Sequence, residues 1–373
     1  MKNHVPYIIV GGGIVGSTAA YYLSRSGHPV ILFDKQVGQA SRAAAGIICP
    51  WFSKRRNKKW YYLVSKGAEF YRQFMNDLTA DGYDTSNLFQ ETGTIILRKN
   101  SKDLQKDLEN ALLKQEASPS IGIVSSLTSE AIKEKFPLID SPWPGSFISG
   151  GGRVNGQALV DLLHKAIQHK GGKVIKEAVQ LYQEKENFQL KTPKGYYTSD
   201  QILLAAGPAV KDLTRSIGLD CDLHPQKGQL LSLFHQQWMN NNWPGIMSPG
   251  GIDILPFRNG ELMIGASHED DKGSDLRIDP LVIKELKEKA LQILPDTFNY
   301  PLHQIKVGTR AFTTSGDVLI GPVPNNSKLW TISGLGSSGL TSGPYLAYQW
   351  YRKVVDGNWE IPDNLISSHS LIH

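Results

Sequence analysis

At 373 residues, with an apolar share of 40% and a net charge of +5, the chain can bury a large core and is expected to divide into two domains. The charge is too modest to mark a nucleic-acid binder by itself, and no uninterrupted apolar run is long enough to span a bilayer. The two cysteines, Cys49 and Cys221, lack metal-ligand spacing, which argues against a zinc site or a disulfide framework and makes a reducing cytoplasm the default location.

The opening Met1–Pro6 leaves no room for the apolar region of a secretory signal, so none is expected. The apolar run Tyr7-Ile8-Ile9-Val10 then leads into Gly11-Gly12-Gly13-Ile14-Val15-Gly16 and an apolar-periodic segment through Tyr22 and Leu23. Gly27 stops that segment, and a second apolar run, Val30 to Phe33, ends on Asp34. Strand, glycine turn, helix, strand and acid in this order predict a dinucleotide site. Gly11 permits the tight turn, Gly13 a close approach to a pyrophosphate, and Gly16 the packing of helix on sheet. The helix start at Ile14 and Val15 offers free N–H groups and the positive end of its dipole to the phosphates. A carboxylate at Asp34 accepts both ribose hydroxyls and repels a 2′-phosphate, so NADP is disfavoured.

Beyond this unit, Ala40 to Pro50 is a small-residue segment, followed by the basic cluster Lys54, Arg55, Arg56, Lys58 and Lys59 between Trp51 and Trp60. Basic residues interleaved with aromatics suit nucleic acid; a solvated helix start near the entrance for an anionic substrate is the favoured reading. A helix is expected from Trp60 to Leu78, a strand from Gln90 to Leu97 with a bulge at Gly93, and an amphipathic helix from Ser101 to Leu113. The Pro-, Ser- and Gly-rich Pro137 to Gly152 reads as a crossover loop. A helix opens at Gly156, a strand returns over Lys173 to Val179, a hairpin follows near Leu181 and Phe188, and Ile202 to Leu204 is a buried strand before Gly207-Pro208. Strands at 228–234, 252–257, 262–264 and 304–312, interrupted by a helix from Pro280 to Leu294, predict a mostly antiparallel sheet with a helical cover. The chain closes on a strand, Leu329 to Ser333, then a glycine loop and a helix.

The segments Ser41-Arg42-Ala43-Ala44-Ala45-Gly46-Ile47, Leu203-Leu204-Ala205-Ala206-Gly207-Pro208 and Gly334-Leu335-Gly336-Ser337-Ser338-Gly339-Leu340-Thr341 resemble the flavin-contacting segments of the D-amino-acid oxidase superfamily. The resemblance covers nearly the whole chain and is strongest to the glycine oxidase and sarcosine oxidase group and to the small subunits of D-amino-acid dehydrogenases. It implies an α/β fold: a Rossmann-like FAD-binding domain (1–85, 151–220 and 316–373) interleaved with a mostly antiparallel α+β substrate domain (86–150 and 221–315). It implies noncovalent FAD, since no cysteine stands in 313–316 where sarcosine oxidases tether their flavin. The cofactor contacts it implies add Lys35, Ala40, Ser41, Ala45, Gly46, Ile47, Val179, Gly207 and the 334–341 loop to the glycine turn. Small residues at Ala43 to Gly46 suit a close approach to the flavin ring.

The same resemblance makes Arg310, in Val307-Gly308-Thr309-Arg310, the anchor of a substrate carboxylate, a role that suits a guanidinium fork. Asp253 stands where glycine oxidases carry a carboxylate-binding tyrosine; an ionised aspartate cannot donate, and contact with a substrate ammonium and a strand-end ion pair are both open. Ser337 replaces an arginine of some glycine oxidases. Met263 stands at the lysine with which sarcosine oxidases promote reaction with oxygen, either as pocket lining or as a sign that oxygen is not the preferred oxidant. Trp51, Arg55 and Arg56 are placed at the substrate entrance by loop position, and His268 is read as a loop histidine. The expected activity is oxidation of an amino acid or secondary amine to an imine that hydrolyses to an oxo acid. Oxygen or another acceptor completes the turnover, no nucleic acid is involved, and an oligomer is allowed. Oxidation of a 2-hydroxy acid and a noncatalytic flavin-holding subunit are the alternatives.

Overall fold

The computed structural model describes residues 2–53, 55, 57–184 and 187–373. A six-stranded sheet carries the glycine turn, with strands in the order Lys173–Ile175, Val30–Phe33, Tyr7–Val10, Gln201–Leu204, Asn326–Ser333 and Leu319–Val323. The first five run parallel, and only the last is antiparallel to its neighbour. Ile9, Leu32, Leu203 and Ile332 face a core shared with helices Ile14–Arg25, Gly156–His169 and Gly339–Asp356. Ile8, Ile31, Ile202 and Leu204 face Leu181, Phe188 and Leu190 of a small sheet that includes Gln180–Glu184, Asn187–Thr192 and Gly195–Thr198. Burial on both faces is why these strands read as continuous apolar runs rather than as alternating ones.

The second large sheet has eight strands: Leu302–Phe312, His224–Met239, Asn259–Gly265, Asp253–Pro256, Gly245–Met247, Thr94–Leu97, Gly145–Ile148 and Val124–Leu127, in that spatial order. It is antiparallel except where Gly245–Met247 meets Thr94–Leu97. Alternation sorts its two faces. Leu231, Leu233, Ile254, Leu262 and Ile264 pack under helix Pro280–Leu291, while Leu230, Leu255, Phe257 and Met263 form a separate apolar cluster on the other face with Ala45 and Ile47. The fold is therefore the mixed α/β arrangement expected, its two large sheets one of parallel and one of antiparallel type.

Several local expectations are corrected. The single strand over Gln90 to Leu97 is two, Phe89–Gln90 and Thr94–Leu97, in different sheets; the break at Gly93 is fixed by its N–H donating to Gly151 O at 2.8 Å. The Pro137 to Gly152 segment holds a strand, Gly145–Ile148, paired on both sides, because partners supply an order that local composition does not encode. The strand after Gly172 ends at Ile175, and the chain beyond it lines a cavity instead. Strands Gly195–Thr198, Gly245–Met247 and Leu319–Val323 had no sequence counterpart. The helix Lys58–Ala80 does begin inside the basic cluster: Asn57 caps it by accepting Trp60 N–H at 2.9 Å, and Arg55 lies over the Trp60 ring. Lys54 and Arg56 lie outside the described residues.

Leu203 is fully buried in the middle of the parallel sheet. Leu203→Ala should lower stability by about 2–5 kcal/mol, read as a fall in the urea midpoint at unchanged slope.

Candidate active site

The glycine turn is closed by backbone rather than by side chains. Gly11 has φ +108°, and a Cβ there would lie 2.4 Å from Ala205 O; a Cβ at Gly16 would lie 1.9 Å from Gly11 O. Gly16 thus lets the helix fold back on its own turn, with the sheet (Ile9 Cγ2 at 3.0 Å) the lesser neighbour. The Ile14 N–H is already held, donating to Ser41 Oγ at 2.9 Å, which leaves the following amides of the first turn for a ligand. Buried His164 braces the turn from helix Gly156–His169, its Nε2 lying 3.2 Å from Gly12 O and 2.9 Å from Ser17 Oγ. Burial lowers the pKa of this imidazole and favours its neutral form.

A cavity of about 690 Å³ runs from this turn to the second sheet, a size ordinary for cofactor sites. It brings together Gly11, Gly13, Ile14, Val15, Asp34, Lys35, Ala40, Ser41, Val179, Gly207, Gly334, Gly336, Gly339 and Arg310. Asp34 is buried and accepts the Gln36 N–H at 3.0 Å and the Gln39 side-chain amide at 2.5 Å; each oxygen keeps a lone pair for a ribose hydroxyl. Backbone cradle, helix start and buried acid therefore fit an extended dinucleotide such as FAD.

Other expected residues are not on this lining. Gly16 lies behind the turn. The Ser338 hydroxyl is spent on Leu335 O (2.8 Å) and accepts from Trp60 Nε1 (3.0 Å). Leu340 and Thr341 are buried in the helix packing, with Tyr71 donating to Leu340 O at 2.6 Å; Ser337 is likewise off the lining. Ala45 and Ile47 join the apolar cluster with Met263, and Gly46 is pinned to Val154 by a backbone bond of 2.8 Å. Of the residues placed at the entrance, Trp51 is instead fully buried. The lining that pattern reading missed is Gln39, Glu177 to Tyr182 around Val179, Asp212, and Ser274, Leu276 and Thr309 from the second sheet's side. No local pattern marks these, since they come from connections and from the side of the second sheet.

Arg310 projects from strand Leu302–Phe312 opposite Gln226. Its Nη1 donates to Gln226 Oε1 at 3.0 Å and to Ser267 O at 2.9 Å; Nε and Nη2 carry no hydrogen bond among the described residues. A Cβ at Gly228 would lie 2.8 Å from the guanidinium carbon, so only glycine allows the fork to lie flat on that strand. A buried network holds it: Glu269 accepts from Ser267 Oγ at 2.5 Å and from Gln229 Nε2 at 3.0 Å, with Lys227 Nζ at 3.8 Å. Burial lowers the pKa of Arg310, against the pull of Glu269, Asp270 and Asp253. Asp253 is enclosed on the same sheet face, and burial raises its carboxyl to about 7, against the pull of Arg310. Met263 pairs with Leu255 and is buried in the apolar cluster. His268 stands in the loop after strand Asn259–Gly265, and burial followed by Arg310 lowers its pKa. Burial pushes the Cys49 thiol up to about 12, so it is not a nucleophile at neutral pH. No helix of the described residues is long and apolar enough to cross a membrane.

Gly11→Ala should weaken FAD binding about tenfold or more, roughly 1.4 kcal/mol, because its Cβ displaces the turn. Titration of apoprotein with FAD measures it, and a dissociation constant within about twofold of wild type would contradict the cradle.

Residues 6–349 match the family model for FAD dependent oxidoreductases, DAO. The uncharacterized oxidoreductase YurR of Bacillus subtilis (strain 168) is 34% identical over 358 residues, 95% of this chain and 96% of that protein. The glycine oxidase of Pseudomonas putida (strain KT2440) is 27% identical, covering 90% and 91%. The crystal structure of iminodiacetate oxidase from Chelativorans sp. BNC1 superposes with a TM-score of 0.91 at 27% identity, over 95% of this chain and 97% of that one. With the cradle, the buried acid and both sheets in place, the chain belongs to the DAO family of FAD-dependent oxidoreductases.

Proposed function

We propose that the protein oxidises an amino acid or a secondary amine at the carbon between nitrogen and carboxylate, using noncovalently held FAD. The observation that carries this reading is Arg310: a cation on the cavity wall, fixed through one nitrogen, with its other two nitrogens unspent. Segments 1–85, 151–220 and 316–373 hold the cofactor in this reading, and 86–150 and 221–315 form the substrate side. Glycine oxidase and iminodiacetate oxidase, named among the similar proteins, act on molecules of this kind.

Bound FAD supplies the two-electron acceptor for the hydride leaving the α-carbon. Arg310 takes the substrate carboxylate as a fork and thereby orients that carbon. Gln226, Ser267 and Glu269 keep the fork from turning. Asp253 faces the nitrogen; poised near 7, it can take the ammonium proton and leave the free amine that oxidation requires. Met263, Leu255 and Phe257 keep the neighbourhood apolar and dry. The imine released hydrolyses in water to an oxo acid and ammonia or an amine. A 2-hydroxy acid would need the carboxylate anchor but no partner for an ammonium, so Asp253 favours the amine.

Anaerobic mixing with glycine, sarcosine, D-amino acids, proline and hydroxy acids should bleach the flavin with an amine, and bleaching by none of them would end this reading. Repetition in air with a peroxide assay separates oxidase from dehydrogenase. Arg310→Ala should raise KM about 10- to 100-fold, the worth of a charged hydrogen-bonded pair, with normal FAD content. The pH profile offers a further check: kcat/KM should rise with pH through about 7 as Asp253 loses its proton. Asp253→Asn should flatten that limb.

A further inference from the structure

The amine-oxidising reading leaves one group unused, and the inference drawn from it rests on that reading. Strand Gly152–Val154 lies between Ile47–Ile48 and Phe89–Gln90, and Arg153 is directly opposite both Ile47 and Gln90. Directly opposed residues of an antiparallel ladder share a face, so Ile47, Arg153 and Gln90 form one row. Ile47 packs with Leu255, Phe257 and Met263, and the Arg153 guanidinium carbon is 5.7 Å from the centre of the Phe257 ring. Residues 253, 255 and 257 alternate onto one face of their strand. The row therefore meets the sheet face that also carries Asp253 and Arg310.

Arg153 is completely buried. Its Nη1 donates to Trp243 O at 2.8 Å and to Thr92 Oγ1. Nε and Nη2, also buried, have no partner, nor do both polar atoms of the Gln90 side chain and the Thr94 hydroxyl. No carboxylate of the described residues forms an ion pair with Arg153, and the charge that acts on it is another cation, Arg258. Lys227, equally buried in the same domain, shows the usual solution: Glu269 and Asp275 lie within 4 Å and Arg277 O accepts at 2.6 Å. An uncompensated buried cation is costly, and unspent donors beside it add to the cost. The unspent donors here, Arg153 Nε and Nη2, the Gln90 amide N–H and the Thr94 hydroxyl, are together suited to an anion with two acceptor oxygens in a plane.

We propose that Arg153, with Gln90, binds a second carboxylate of the substrate, so that the amine oxidised is a dicarboxylic one. One carboxylate lies on Arg310, the other on Arg153, and the nitrogen near Asp253. The charge of Asp253 acts on the Cys49 thiol, and that of Arg310 acts on Asp253. Arg153 is then a specificity residue for an amine carrying an acid on each arm, or an amino diacid.

The test uses the FAD-loaded protein without oxygen. Iminodiacetate and sarcosine, the same secondary amine with two carboxylates and with one, are titrated while flavin bleaching is followed. Succinate and acetate, which carry no amine, are titrated through the shift they cause in the flavin spectrum. Wild type should favour iminodiacetate over sarcosine and succinate over acetate, each by about tenfold or more in dissociation constant. In Arg153→Met both preferences should collapse by about tenfold, and Arg153→Lys should restore part of them. Gln90→Leu, which spares both hydrogen bonds of Arg153, should reduce the preferences and stands in if the methionine variant does not fold. Preferences unchanged in Arg153→Met, or in Gln90→Leu where the former is unfolded, overturn the proposal, as does a wild type without preference. Should no amine bleach the flavin while succinate still binds through Arg153, the amine reading fails and the carboxylate site stands.

Discussion

The site depends on one backbone contact between the two large sheets. The segment 38–43, which follows Asp34, runs against strand Leu302–Phe312. Thr309 N–H donates to Gly38 O at 3.1 Å, Gln39 bridges to Thr309, and a Cβ at Gly308 would strike the Ala43 side chain at 2.8 Å. Neither partner has bulk there, so the strand lies directly on the turn. Arg310, two residues beyond Gly308, is thereby fixed at the end of the cavity that begins at Gly11. A cofactor grip on one sheet and an anion anchor on the other become one site through this packing.

Around that contact the protein buries charge in two ways. Lys227 with Glu269 and Asp275, and Lys306 with Glu261 at 3.6 Å, are paired within the second sheet and its connections. Such pairs add little net stability but hold neighbouring groups in one arrangement; Glu269 holds the Ser267 hydroxyl, and the Ser267 carbonyl accepts from Arg310. Arg153 is buried and Arg310 and Asp253 are half-buried, none fully paired, and each is shifted by desolvation from its ordinary protonation behaviour. Perturbed groups left unpaired beside an apolar cluster mark places where a ligand completes the set.

The first sheet was legible because it is local and buried on both faces. Tyr7–Val10, Val30–Phe33 and Gln201–Leu204 announce themselves as apolar runs, and the glycine turn and Asp34 stand at fixed offsets from them. The second sheet was legible where its strands read as apolar runs, as at Thr94–Leu97 and Asp253–Pro256. Gly145–Ile148 and Gly245–Met247 sit among prolines and glycines and are ordered by their neighbours. The break at Gly93, which sends Gln90 to one sheet and Thr94 to another, is set by a distant carbonyl.

The dinucleotide cradle was legible in the sequence because its chemistry is complete within a few residues, while the candidacy of Arg310 came from a family resemblance spread along nearly the whole chain. Tertiary structure alone decided what those residues face. It drew Gln39, Val179's neighbours and Leu276 onto one cavity, buried Trp51, and left Arg153 a buried cation without an acid. Burial and pairing are properties of surroundings assembled from distant segments, and a one-dimensional pattern carries no record of them.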